Sequence, residues 1–336
     1  WVIEREFNVN CHPKDLDHVD LMEVAPLKGS LKLYGGRLHS KSLQDLPIAP
    51  GAIISEEQRP ILRAYCENDC DTLIDLLHAL KEQCALREQM SEQYGINLRS
   101  KSDAQIAEAV IKKEVESRTR TVLERPGADP GTRFHYTIPP WMGFNRLSIL
   151  ETIKDAWFVI ADDGKVLMPP ELEKRDIVIA GRAYRMGGGG LHSMEKRQTV
   201  LADEEHVLVD FDVVSYYPSI LLNQGMYPKH IGPEFLNVYR SIVEKRLAAK
   251  KAGNKAVSES LKITINGTFG KTSNRWSTLY SPDLFVQIVL TGQLALLMLV
   301  ERLAAVPGVV VTSANTDGVT IRCQKSAVVE AEEAVK

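Results

Sequence analysis

The sequence predicts a mixed α/β chain of the α+β kind, and three sets of stretches carry that expectation. The first, Val207 to Val214, alternates with the period of a strand. The second is a pair of β-branched runs, Val309 to Ser313 and Val319 to Cys323, joined by Asn315-Thr316-Asp317-Gly318, whose Asp-Gly step is a hairpin signal. The third is apolar spacing at helical period, from Ile61 to Leu80, and the helix-like runs Val243 to Lys251 and Phe285 to Val300.

At 336 residues the chain is long enough for two or more domains. A net charge of −3 excludes a uniformly basic nucleic-acid binder, so contact with DNA must come from local patches such as Lys245-Arg246 with Lys250-Lys251. The same patch also reads as a solvated helix face. Five cysteines suggest free thiols in a reducing, cytoplasmic setting. Cys66 and Cys70 lie one helical turn apart with His78 beyond, but no second pair completes a zinc set, so they read as packing residues. Phe285 to Val300 is interrupted by Gln287, Thr291, Gly292 and Gln293, which favours a buried core helix over a membrane span.

In chain order, His18 to Met22 reads as a short strand. Leu31 to Leu46 holds a Ser-led helix start, and Ser55 begins the next helix. From Ile61 a stripe of Leu62, Cys66, Leu73, Leu76 and Leu80 includes Asp69, which needs an ion pair, a cap or a ligand there. Glu88 to Val122 is charged and helix-prone. Pro126 to Gly131 and Pro139-Pro140 mark a connector. Phe158 to Met168, centred on Asp163-Gly164, reads as a hairpin, and Ile177 to Ala183 as one strand. Tyr184-Arg185-Met186 then runs into four glycines, Gly187 to Gly190. These suit either a flexible turn or a backbone in close approach to a polymer, and without GK[ST] they are no P-loop.

The strand from Val207 puts Leu208, Asp210 and Asp212 on one face. Beyond it, Ser215-Tyr216-Tyr217-Pro218-Ser219 starts a helix, leaving a carboxylate beside two exposed tyrosines. That arrangement suits metal-assisted chemistry or simple capping of the next helix. Arg246 and Lys250 share one helical face, and Lys262 opens a second helix carrying Asn266. Three cations so spaced suit a triphosphate.

DxxSxYPS at Asp212 to Ser219, RxxxK at Arg246 to Lys250, KxxxNxxxG at Lys262 to Gly270 and TDG at Thr316 to Gly318 resemble, in order, the motifs of family B DNA polymerases, nearest to phage-type or mobile-element members. The resemblance covers roughly the last third of the chain. YCENDCDTLIDLL from Tyr65 looks like the third exonuclease motif of the proofreading domain upstream of such polymerases. Implied are the C-terminal part of a ribonuclease-H-like exonuclease domain over 1–95, a connector over 96–180, a palm of antiparallel sheet and helices over 181–235 and 273–336, and two-helix fingers over 236–272. Trp1 then falls inside the exonuclease domain, and the chain is an internal piece ending before a thumb.

By the same resemblance, Asp212, Asp317 and the Val213 carbonyl hold two magnesium ions, with manganese as the alternative. Arg246, Lys250 and Lys262 hold the triphosphate, Tyr216 and Tyr217 bound the nucleotide with Tyr217 rejecting a 2′-hydroxyl, and Asn266 and Phe269 line the nascent base pair. Tyr184, Gly188, Gly189 and Gly190 would contact template DNA, and Asp69 with Tyr65 would serve the exonuclease. The implied partners are primer-template DNA, deoxynucleoside triphosphates, and a sliding clamp or other replication proteins, in a bacterial or phage-infected cell and without a membrane. Four residues depart from the family pattern: Asn315 for the first Asp of DTD, Gly318 for the following Ser, Gly267 for Ser and Phe269 for Tyr. Two rivals remain at this stage, an inactive DNA-binding relative and a 3′–5′ exonuclease.

Overall fold

A computed structural model describes residues 18–27, 29–145 and 148–336. The chain divides into two units, Trp1–Ile106 and Ala107–Lys336. The placement of Trp1, and Cys11 among the five thiols, lie outside the described residues; Cys66, Cys70, Cys84 and Cys323 are free.

The first unit is helical. Asp20 accepts from the N–H of Met22 and starts α1 (Leu21–Val24), so the strand expected over His18–Met22 is instead a capped turn of helix. Ser30 caps α2 (Leu31–Leu38) in the same way. The next helix, α3 (Arg59–Ala79), begins four residues after Ser55, with Pro60 in its first turn, where a missing N–H costs nothing. α4 (Lys81–Tyr94) ends at Gly95, whose φ of +64° closes the helix. The core joins Leu21, Val24, Tyr34, Leu76 and Leu80. The buried face of α3 therefore runs through Thr72 and Leu76 and continues at four-residue spacing to Leu80, its C-cap. Cys66, Cys70 and Leu73 lie outside that face and are exposed, so neither cysteine is a packing residue.

α5 (Asp103–Thr119) runs across the division. In the second unit β1 (Arg133–Phe134), β2 (Phe158–Ile160) and β3 (Val166–Leu167) form a small antiparallel sheet, with α6 (Ile149–Asp155) between the first two strands in sequence. Asp163-Gly164 turns the β2–β3 hairpin as expected. After α7 (Pro170–Glu173) come β4 (Ile177–Ile179) and β5 (Arg182–Met186). The single strand expected over Ile177–Ala183 is thus broken in two. Ala180 and Gly181 both take positive φ, +48° and +77°, the signature of a two-residue hairpin turn. Ala180 carries no turn signal in the sequence.

β6 (Leu191–Ser193) and β7 (His206–Asp212) follow, then α8 (Tyr216–Asn223), α9 (Glu234–Lys251), α10 (Lys255–Lys271) and α11 (Pro282–Ala305). The chain returns through β8 (Val309–Asn315), β9 (Gly318–Gln324) and α12 (Val328–Val335). The larger sheet is antiparallel, in the order β4-β5-β6-β8-β9-β7. Its first strand begins at Ile177.

α11 is apolar and long enough to cross a membrane by length and composition, yet most of it is buried inside this unit. Leu290, Leu294, Leu297 and Val300 join Val311, Val319, Ile321 and Cys323 of the central strands. Each such leucine stabilises the fold by about 1.5–3 kcal/mol. In β8 the core-facing phase of Val309 and Val311 changes at a register shift beside Thr312, after which Ala314 is buried and Asn315 exposed. One extra residue in a strand moves every later side chain to the other face, and the bulge thereby puts Asn315 on the open side.

Candidate active site

The site grows out of the ends of β7, β8 and β9. Asp212, the last residue of β7, pairs with Gly318, and the N–H of Val213 donates to the carbonyl of Asp317 at 3.0 Å. Asp212 therefore ends β7, and Asp317 stands in the turn directly before β9, the neighbouring strand, whose axis runs about 4.8 Å away. A Cβ built on Gly318 would lie 3.3 Å from the Phe211 carbonyl oxygen and 3.5 Å from Asp212 Oδ1, so glycine here keeps the space beside the carboxylate open.

The hairpin tip is tighter than its sequence suggests. Its two loop residues are Thr316 and Asp317, with Gly318 already in β9, so the turn is not built on Asp-Gly. Thr316 takes φ +55°, and the N–H of Asp317 donates to Asn315 O at 2.6 Å, an i to i+2 closure of the strained γ-turn kind. On the other side Ser215 also takes φ +55°, which turns the chain from β7 into α8. Each aspartate thus stands within three residues of a non-glycine residue held left-handed.

Asp210 and Asp212 share the exposed face of β7, as the alternation implied, and Asp210 accepts from Thr320 Oγ1 at 2.8 Å. Asp212 is exposed and Asp317 half-buried, and among the described residues neither takes part in an ion pair. Tyr216 and Tyr217 are half-buried rather than exposed. Tyr216 Oη donates to Gly292 O at 2.6 Å and Tyr217 Oη to Gly189 O at 2.8 Å. Burial pushes the Tyr217 hydroxyl up to about 12, with the Asp317 charge adding to the shift; Tyr216 moves in the same direction for the same reasons. Both phenols are therefore neutral donors at pH 7. The Tyr217 ring stacks on Phe269 at 4.5 Å, and Phe269 on Phe285 at 5.4 Å.

Above this floor stands the α9–α10 hairpin, closed by Tyr239 Oη donating to Ile265 O at 2.9 Å. Arg246 Nη1 lies 3.5 Å from Ser215 Oγ, at the limit of a hydrogen bond, and its buried Nε has no partner among the described residues. Lys250 is exposed one turn further on. Lys262 lies mid-helix rather than opening α10, because the Asn254 side chain accepts from the N–H of Val257 and starts the helix two turns earlier. Its ammonium meets Glu259 at 3.4 Å on the surface. Asn266 is exposed on the same side of α10.

No family model matches the chain, and no curated protein matches it either. Among solved structures, the family B DNA polymerase from the hyperthermophilic archaeon Pyrobaculum calidifontis is similar at 14% identity and a TM-score of 0.44. The likeness covers 91% of this chain, which spans 38% of that one. A likeness this distant carries no functional argument.

The fold brings together Asp212, Val213, Tyr216, Tyr217, Arg246, Phe269, Gly189, Gly190 and Asp317. Described contacts do not tie Lys250, Lys262 or Asn266 to that cluster. Tyr184 is corrected: it is 1% exposed, its ring packs in the core under β5, and burial pushes its hydroxyl up to about 12, so it offers no surface to DNA. Tyr65 and Asp69 lie one turn apart on α3, where burial first and the Asp69 charge next raise the Tyr65 hydroxyl. Among the described residues no three His, Cys, Asp or Glu side chains form a metal-binding group. Asp212, Asp317 and the Val213 carbonyl are hard oxygens, and carboxylates with no ion pair among the described residues would repel a phosphate, so the donor set fits a magnesium-like cation. Phe285, Gly292, Gln293 and Thr316 belong to the site without having been singled out for it in the sequence. The polar breaks in the apolar run around Gly292-Gln293 were the available signal.

Proposed function

We propose that the chain performs template-directed DNA synthesis, adding deoxynucleotides to a primer 3′-hydroxyl by nucleotidyl transfer. The observation that carries this reading is the placement of Asp212 and Asp317 at adjacent strand ends, free of ion pairs among the described residues, under a helix that aims Arg246 at the same turn. The order of the four motifs gives the chemistry to that geometry. Asp212, Asp317 and the Val213 carbonyl would hold two divalent cations, magnesium or manganese. Such a pair supplies charge neutralisation for the attacking and leaving oxygens.

The chain's own residues do the rest. Arg246 donates its guanidinium hydrogens to phosphate oxygens, and its buried Nε, unmatched among the described residues, is a donor held ready for such an acceptor. Lys250 and Lys262 add point charges as pyrophosphate leaves. Tyr217, clamped between its hydroxyl bond and the Phe269 ring, bounds the sugar, and a ring fixed on both sides cannot yield to a 2′-hydroxyl. Asn266 and Phe269 line the base pair. Gly188, Gly189 and Gly190 leave the turn bare for a template backbone; Gly188 and Gly189 open onto free space. A 3′–5′ exonuclease is the weaker reading, since Asp69 belongs to no group of three or more His, Cys, Asp or Glu side chains suited to a metal among the described residues.

Asp317→Asn in the intact protein is the test. Primer extension with magnesium should fall far more than tenfold, that is, by more than about 1.4 kcal/mol of barrier. A rate retained within that margin would remove the carboxylate from the mechanism.

A further inference from the structure

One buried side chain beside the site has no task in the reading above. Gln293 sits on α11, 1% exposed, among leucines and valines. Its Nε2 donates to Gly187 O at 2.6 Å, while its buried Oε1 accepts nothing among the described residues. An unmet buried acceptor is destabilising, so a leucine or methionine would serve stability better. What the glutamine secures is the glycine turn. Within that turn the N–H of Gly187 donates to Gly190 O at 3.0 Å, and Gly189 O receives the Tyr217 hydroxyl. The next residue pair closes onto the hairpin tip, with Thr316 N–H donating to Leu191 O at 2.8 Å.

Gly292, beside Gln293, controls the other side of the same ring. A Cβ there would lie 3.0 Å from Tyr216 Cε1 and 3.1 Å from Tyr217 Cε1, and its carbonyl takes the Tyr216 hydroxyl. α11 therefore holds Tyr217 directly at its edge and, through the glycine turn, at its hydroxyl.

We infer that Gln293 is a positioning residue for sugar selection: it fixes the Gly187–Gly190 turn, whose Gly189 carbonyl holds the Tyr217 hydroxyl and so sets where the ring meets the incoming sugar. The inference rests on the synthesis reading for the identity of the ligand and on the Gln293–Gly187 and Tyr217–Gly189 hydrogen bonds for the linkage. The selective element is then not Tyr217 alone but a chain of two hydrogen bonds reaching back into the core helix.

The experiment uses the full protein and Gln293→Met, which keeps the volume and removes both polar atoms. Primer extension gives the ratio of kcat/KM for deoxy- over ribonucleoside triphosphates. That ratio should fall about tenfold, or about 1.4 kcal/mol of discrimination. Tyr217→Phe, which removes only the hydroxyl, should fall alike, and the double variant no further than either, because both cut one linkage. Gln293→Asn withdraws the amide by one methylene and gives the same fall should the Met variant not fold.

A second readout needs no catalysis. In protein carrying 3-fluorotyrosine, the resonance of residue 217, assigned by its loss in Tyr217→Phe, should move in Gln293→Met. An unmoved resonance overturns the linkage whatever the kinetics. A moved resonance with unchanged discrimination overturns the sugar-selection role while leaving synthesis standing. Absence of any incorporation by the parent protein overturns the synthesis reading, and with it the sugar, while the resonance still decides the linkage.

Discussion

At the scale of single residues, the site is set by where a side chain would not fit. A Cβ on Gly190 would lie 2.8 Å from Thr316 Oγ1 and 3.1 Å from Thr316 Cα, a clash with backbone that no rotamer relieves. The same addition at Gly188 meets nothing within 4 Å. Gly190→Ala should therefore destabilise by about 1–3 kcal/mol, the usual range for overpacking. Gly188→Ala should be neutral or stabilising by up to about 1 kcal/mol, through a less flexible unfolded chain. Urea melts of the two variants check this, and equal midpoints would remove the close approach of the glycine turn to the hairpin tip. Ser215 and Thr316 add to the picture. Left-handed backbone at a residue with a Cβ costs about 1–2 kcal/mol, and it occurs beside both aspartates, where it turns the chain sharply enough to leave their carboxylates at the sheet end.

At the scale of elements, legibility in the sequence followed periodicity and failed where one residue decides. β7, with Asp210 and Asp212 on one face, and the hairpin bearing Asp317 were readable because alternation and β-branching extend over several residues. α11 was readable as a core helix, and each of its four breaks makes a tertiary hydrogen bond. Gln287 meets both backbone groups of Thr137, Thr291 meets Tyr136, the Gly292 carbonyl accepts from Tyr216, and Gln293 Nε2 donates to the Gly187 carbonyl. Unreadable were the Ala180-Gly181 turn, the bulge at Thr312 and the burial of Tyr184, since each depends on tertiary context rather than local preference. Context also governs the end of α10, which carries Phe269. There Lys271 pairs with Glu108 at 3.0 Å, and Glu108 also accepts from the N–H and hydroxyl of Thr278. Desolvation alone would raise the Glu108 carboxyl, but the Thr278 and Lys271 contacts outweigh it and hold the group below its ordinary value. A depressed native pKa contributes stability above the unfolded value and loses it as pH falls through the native one. Glu108→Gln should therefore cost about 1–3 kcal/mol at pH 7, a partly exposed pair losing less than a fully buried one. The gap between the two proteins should close as pH drops below about 4. A gap independent of pH would show that the cost is packing rather than charge.

At the scale of the whole molecule, a net charge of −3 leaves no general attraction for nucleic acid, so each cation near the site has a separable duty. Lys250 and Lys262 are both exposed, and Lys262 is only lightly held by Glu259 at 3.4 Å, so either could serve a triphosphate or a DNA backbone. The two duties differ in their salt dependence. Each duplex phosphate neutralised by a lysine contributes about −0.9 to the slope of log affinity against log salt. If the pair serves the triphosphate, Lys250→Gln with Lys262→Gln should raise KM for deoxynucleotides at least about tenfold, equal to about 1.4 kcal/mol of lost binding. Primer-template affinity, measured by fluorescence anisotropy across a salt series, should keep its slope. A slope shallower by about 2 with KM unmoved would reassign both lysines to the duplex, since two phosphate contacts would have been lost. For Lys250 the placement favours the first outcome, since it stands one turn beyond Arg246 on α9, whose guanidinium points at the turn that follows Asp212; Lys262 lies on α10, apart from that face, so the salt series is what assigns it.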